Sequence, residues 1–240
     1  MAGTACRAAV GAVAVALALA GCGGGSEPGG PSSSGASASS SDSPSGSASP
    51  SSSASANPEV GKAEARRRAT SATRKALLPT GAFEKIGLSV KDKPKTTRWD
   101  WFDTCRGSLP SEIRQVLGTS GTWSGRGALV GQTVTAYPEG IARDIVGEVQ
   151  DTLDCRTFAA NNREFTQVKT VKVPVPDGAD DVVGWCMADA ENGTHICHSA
   201  FAAQDLVSFL YVVEGDRENA LDGMRTLTRI AAARIATQVD

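Results

Sequence analysis

Six cysteines and two histidines hold most of the chemistry available to this 240-residue chain: Cys6, Cys22, Cys105, Cys155, Cys186 and Cys197, with His195 and His198 flanking Cys197. Thiolates and imidazoles are nucleophiles and zinc ligands, so a metal centre built from Cys186, Cys197 and the two histidines is the first reading to weigh. Their spacing matches no zinc signature. Hydrolysis has no better support. The chain lacks a G-x-S-x-G elbow and an S-x-x-K pair, and the adjacent carboxylates Asp180 and Asp181 fall in a turn beside a strand, where solvation or capping explains them better than acid–base work. The residues point to a protein that is not an enzyme and that uses no cofactor.

What the cysteines do depends on where the chain works, and Leu19-Ala20-Gly21-Cys22 addresses that. Residues 1–21 carry one charge, Arg7, followed by the apolar run Ala8 to Ala20. That run is shorter than the ~20 residues a membrane-spanning helix needs, but it suits the apolar core of a signal peptide. The small pair Ala20-Gly21 before Cys22 resembles the lipobox of bacterial lipoproteins, in which the cysteine thiol receives a diacylglycerol and becomes the first residue of the mature chain. Several acyl chains on one residue give stable anchoring where a single chain binds only marginally. Cys22 is therefore the expected lipidation site, and the expected location is the extracytoplasmic face of the cell membrane.

Removing Cys6 with the signal and committing Cys22 to lipid leaves Cys105, Cys155, Cys186 and Cys197, an even set in an oxidising compartment. Two disulfides are expected. The mature chain would carry 23 basic and 26 acidic side chains, and neither that balance nor the location suits nucleic-acid binding. About 180 residues remain after the signal and a linker, enough for one core.

That linker, residues 22–57, is Gly, Ser, Ala and Pro with only Glu27 and Asp42 charged and no aromatic or large aliphatic residue. It reads as a disordered tether with a coil span of ~30 Å. Order is expected from Pro58 to Leu78 as a helix stopped by Pro79. Its alanines Ala65, Ala69, Ala72 and Ala76 share one face, and Lys62, Arg66, Arg67, Arg68, Arg74 and Lys75 spread around the rest. The plain reading is a thinly packed, solvated helix; the other is a basic helix against anionic headgroups or wall polymers.

Further along, residues 79–118 are less regular. Trp99 and Trp101 are expected on one strand face, and Leu109 to Leu117 as a short helix closed by Gly118. Gly121 to Gly127 reads as a loop or bulged strand start, with Trp123 packed rather than offered to a ligand. Leu129 to Tyr137 reads as a strand. The helix after Pro138 places Ile141, Ile145, Val149 and Leu153 on one face, with Cys155 just beyond. Phe165 to Val175 reads as a strand whose Pro174 and Pro176 mark an edge or an end.

A hairpin with the four-residue loop Ala190-Glu191-Asn192-Gly193 puts Cys186 opposite Cys197 and permits a cross-strand disulfide; a two-residue Asn192-Gly193 turn would put Cys186 against Ser199. Leu206 to Val213, apolar on both faces apart from Ser208, reads as a central strand. A last helix, Arg217 to Gln238, turns Ala220, Met224, Leu227, Ala231 and Ile235 inward.

This order of elements resembles the PknH-like extracellular sensor domains of mycobacterial receptor kinases and related actinobacterial lipoproteins. The residues that carry the resemblance are Gly131-Gln132-Thr133-Val134 with the helix leading to Cys155, the pair Cys186 and Cys197, and Ala220 to Ile235 with its Ile230-Ala231-Ala232-Ala233-Arg234-Ile235 ending. The resemblance covers roughly residues 65–238. It implies an α+β fold, an antiparallel sheet flanked by helices, with disulfides joining successive cysteines, Cys105 to Cys155 and Cys186 to Cys197. It also implies a cleft for a ligand. Three segments are thus expected: a signal peptide (1–21), a lipidated disordered linker (22–57) and a sensor domain (58–240). The function expected is a membrane-anchored lipoprotein that binds a small molecule, glycan or lipid; the alternative is a non-catalytic envelope scaffold that binds a partner protein. No individual ligand-contact residue is legible.

Overall fold

The computed structural model describes residues 58–98, 105, 108–160 and 162–238. The signal peptide, Cys22, the tether, Trp99 and Trp101 lie outside these. Eight strands form one antiparallel sheet: β1 (Ser89–Thr97), β2 (Leu117–Gly125), β3 (Ala128–Ala136), β4 (Phe158–Ala160), β5 (Arg163–Val171), β6 (Asp181–Asp189), β7 (His195–Ala203) and β8 (Leu206–Glu214). Their order across the sheet is β1-β2-β3-β8-β7-β6-β5-β4. Three helices pack on it: α1 (Pro58–Ala76), α2 (Ile141–Asp151) and α3 (Arg217–Gln238). The chain thus has the α+β architecture and the two disulfides expected from the sequence.

Strand alternation divides the core into two layers. On one face, Cys197 and Phe201 of β7 with Leu206, Leu210 and Val212 of β8 meet α1 and α3; on the other, Trp185, Ala200, Val207 and Phe209 meet α2. A smaller cluster of Phe165, Met187 and Ile196 fills the sheet beyond α2. β8 is the inner strand that its two-sided apolar sequence requires, paired with β3 and β7. Its one polar core residue is satisfied: Gln132 Nε2 donates to Ser208 Oγ at 3.0 Å, and Gln132 Oε1 accepts from the Leu78 N–H at 2.7 Å. That side chain pins the end of α1 to the middle of the sheet. Arg234 Nε, donating to the Leu77 carbonyl at 2.7 Å, ties α3 to the same point. Among the described residues, the three buried clusters run from Ala69 to Ile235.

The four-residue hairpin loop is the one formed. Asp189 N–H donates to the Thr194 carbonyl, and Cys186 faces Cys197. α3 has the expected boundaries, and its five inward residues are buried.

Four local expectations are corrected. Residues 89–97, rich in Lys, Asp and Pro, form a strand, because an edge position with two register shifts accommodates Pro94 and leaves the charges in water. Leu109 to Leu117 yields only a 3-10 turn at Glu112–Arg114. Leu117 and Gly118 instead open β2, where pairing with Ala136 and Thr135 outweighs a short helix's marginal stability. The glycine-rich stretch is strand to Gly125, followed by a two-residue turn at Arg126 and Gly127 with φ of 52° and 85°, the left-handed pair such a hairpin demands. β5 also stops at Val171, short of the prolines, and β4 covers its outer edge.

Candidate functional site

On the α1–α3 face, the last helix leaves the sheet uncovered near its N-terminal half, and a groove of about 590 Å³ opens there. Three segments far apart in sequence build it. The sheet supplies Ala128, Val130 and Val212 as a floor; α3 supplies Gly223, Thr226, Leu227 and Ile230 along one wall; the segment from Ala82 to Leu88 supplies Phe83, Ile86 and Leu88 along the other. Its volume falls within the roughly 300–1,000 Å³ of small-molecule sites, and its apolar lining with a few polar groups has the usual character of one.

Local sequence explains each wall. Gly223 lets α3 sit close to the sheet, since a Cβ there would lie 3.3 Å from Val212 Cγ1. The opposite wall is held from beneath: Trp123 is buried, stands edge-on to Phe83 at 5.1 Å, and its Nε1 donates to the Thr80 carbonyl at 3.0 Å. Packing is therefore the role of Trp123, as the sequence suggested. The segment closes with Gly87 in a left-handed conformation (φ 80°), its carbonyl against Gly125 so closely that no Cβ fits.

Depth and rim differ in chemistry. Phe83, Val130, Val212 and Leu227 are buried in the depth of the groove, whereas Ile86 and Ile230 at the mouth are 59% and 45% exposed. Arg126, exposed at the hairpin tip, lies over Gly87 and has no ion pair or hydrogen bond among the described residues. Glu214, Asn219 and Asp222 complete the rim, with Asp222 3.6 Å from Arg225. The groove can therefore take an apolar body and offers charge to a polar end. A depression of about 440 Å³ lies across Thr226, between α3 and Val173 to Asp177, and a polar one of about 340 Å³ joins Arg66, Thr96, Arg98 and Gln115.

The residues singled out in the sequence lie elsewhere. Cys105 is joined to Cys155 with Cα atoms 5.7 Å apart, and Cys186 to Cys197 at 4.1 Å. His195 and His198 point to opposite faces of β7, so they do not share a ligand. His198 is 1% exposed, with its ring stacked on Trp185 at 5.0 Å and tilted against Phe209 and Tyr211; desolvation lowers its pKa to about 3. Asp180 accepts from the Gln204 N–H and faces Arg143 at 3.8 Å, and Asp181 accepts from the Val182 N–H, so both finish turns. Among the described residues no group of three or more His, Cys, Asp or Glu converges as metal ligands. The groove residues went unmarked in the sequence. The available signals were weak: Ile230 on the outward side of an amphipathic helix, and Ile86 between Lys85 and Gly87.

No protein-family model matches the chain, and no curated protein matches it. Its fold is similar to that of the extracellular domain of PknH from Mycobacterium tuberculosis, with a TM-score of 0.50 and 16% identity over 70% of this chain and 94% of that one. An uncharacterised protein from Mycobacterium smegmatis is similar at a TM-score of 0.43 and 13% identity, over 71% of this chain and 97% of that one. The likeness at these identities is one of fold.

Proposed function

Starting from the fold shared with the PknH extracellular domain, we propose that this chain is an extracytoplasmic, membrane-anchored lipoprotein whose sensor-like domain binds a ligand without transforming it. The groove under α3 carries this reading. It is an apolar concavity between sheet and helix, and it leaves two isoleucines exposed at its mouth, an arrangement that costs solvation unless something covers it. The ligand class it fits is an amphiphile, with an acyl or other apolar body on the floor and a polar end at Arg126.

The anchor part of the reading rests on Leu19-Ala20-Gly21-Cys22 and on the tether, residues 22–57. None of the described helices is long and apolar enough to cross a membrane, and the proposed means of retention is a lipid on Cys22. The non-catalytic part rests on how the reactive residues are used: four cysteines are in disulfides, His198 is sealed in an aromatic cluster, and Asp189 is buried against Arg163. A scaffold would present a convex apolar patch, whereas these exposed isoleucines line a concavity.

Native mass spectrometry of protein purified from its own envelope tests the reading, with a thermal-shift screen of envelope lipids and glycans beside it. A bound amphiphile is expected to raise the melting temperature, by ~2.7 kcal/mol of stabilisation at a hundredfold excess over its Kd. Ile86→Lys with Ile230→Lys changes two exposed side chains and should abolish that shift while leaving the unliganded melting temperature nearly unchanged. A ligand that stabilises both proteins equally places binding elsewhere and overturns the groove assignment.

A further inference from the structure

The charge of this near-neutral chain is distributed unevenly. Residues 58–98 hold eleven Lys and Arg against four Asp and Glu, a formal +7, while residues 99–240 hold twelve against twenty, a formal −8. The structure turns the first figure into a surface. All eleven basic residues of 58–98 are exposed, on α1, the segment after it, β1 and Arg98. α1 lies over β2 and β3, next to the sheet edge formed by β1, and Arg66 of α1 shares one depression with Thr96 and Arg98 at the end of β1. Arg68 is answered by Glu64 at 3.0 Å. Asp92 is the lone acid among Lys91, Lys93 and Lys95.

We infer that the surface formed by α1, β1 and Arg98 docks on anionic phospholipid headgroups. Two observations choose this occupant. The first is charge complementarity: the exposed cations of residues 58–98 give that segment a formal +7 while residues 99–240 carry a formal −8, so the part of the domain bearing α1 and β1 is the part attracted to a negative surface. The second is where the described chain begins. Pro58, the first residue of α1, follows Cys22 after about 35 residues that contain no Lys or Arg and that, behaving as the tether their composition suggests, would span ~30 Å. On this point the inference rests on the proposed lipid at Cys22: with Cys22 in the membrane, the first described element to follow it is this basic helix. The inward face of α1 is Ala69, Thr73 and Ala76 packed on the sheet, so the helix adsorbs through its charges and does not insert. Adsorbed this way, the domain would hold one orientation on the membrane. The inference does not depend on the groove.

The test uses the chain from Gly23 to Asp240, which retains every described residue and carries no acyl group. Its cosedimentation is measured with vesicles of phosphatidylcholine alone and of phosphatidylcholine with about 30% phosphatidylglycerol. The expected result is at least a ~10-fold higher partition coefficient on the anionic vesicles, lost at about 0.5 M NaCl, where the Debye length is only a few ångströms. Lys62→Gln, Arg66→Gln, Lys93→Gln and Lys95→Gln together should remove most of that difference at an unchanged melting temperature. The matched control, Arg143→Gln, Arg156→Gln, Lys169→Gln and Arg229→Gln, should keep it. Equal binding to both vesicle types, or equal loss in both variants, overturns the proposal. So does binding to soluble polyphosphate without binding to anionic vesicles, which would assign the surface to a wall polyanion.

Discussion

Acidification should destabilise this domain through a single histidine. His198 is fully buried, and neither ring nitrogen has a hydrogen-bond partner among the described residues. Its ring instead lies among Trp185, Phe209 and Tyr211, and that desolvation lowers its pKa from 6.5 to about 3. Between those values the unfolded chain binds a proton that the folded chain refuses. Stability is therefore full above about pH 6.5 and falls as pH drops toward 3. With ~1.4 kcal/mol per pKa unit, moving from about pH 7 to about pH 5 should cost on the order of 2 kcal/mol through this residue alone. Urea unfolding followed by tryptophan fluorescence reads that loss as a midpoint shift of about 1 M, for a slope of 2–3 kcal/mol/M. His198→Phe keeps an aromatic ring in the cluster and removes the titrating nitrogens. Its midpoint should fall less over the same range, the residual slope coming from carboxylates common to both proteins. If wild type and variant lose the same stability between about pH 7 and pH 5, His198 is reached by a proton while folded, and the sealed-cluster description is wrong.

Gln132→Leu should cost about 2–4 kcal/mol, because it strands the buried Leu78 N–H and Ser208 hydroxyl, and amide exchange at Leu78 should accelerate with it. Replacing both Cys186 and Cys197 by serine should cost ~3 kcal/mol and replacing Cys105 and Cys155 ~4 kcal/mol by loop entropy, both measurable as denaturant midpoints. Non-reducing peptide mapping that joined Cys105 to Cys186 would contradict the pairing. Cys22→Ala should move the protein from the detergent phase to the aqueous phase on partitioning, because it removes the proposed site of lipidation.

A sensor-like reading of the groove and a docking reading of the basic surface use different parts of the molecule. The groove opens beside α3 and the hairpin tip of β2 and β3; the basic surface runs over α1 and β1. An amphiphile drawn from the membrane would meet a domain already oriented by its charges.

The sequence by itself determined what depends on near neighbours. The expectation of an address around Cys22 rests on a local motif, and that of a tether on composition. α2, β8 and α3 were legible because their apolar periods run uninterrupted, whereas the sequence left two turn lengths open for the hairpin and the structure decided for the one in which Cys186 faces Cys197. Tertiary structure decided what depends on partners distant in the chain. Residues 89–97 lack a strand-like pattern and become β1 because β2 offers an edge. Leu117 and Gly118 leave a marginal helix for the same reason, since the ladder to β3 supplies hydrogen bonds that a single helical turn cannot match. His198 sits in a strand pattern that says nothing of its ionisation; only the closure of Trp185, Phe209 and Tyr211 around it removes the water that a proton needs. The groove is the furthest from the sequence, because Phe83, Arg126, Val212 and Ile230 come from four separate stretches of the chain. Whether an isoleucine is core or rim depends on what packs above it, and that is a property of the assembled layers.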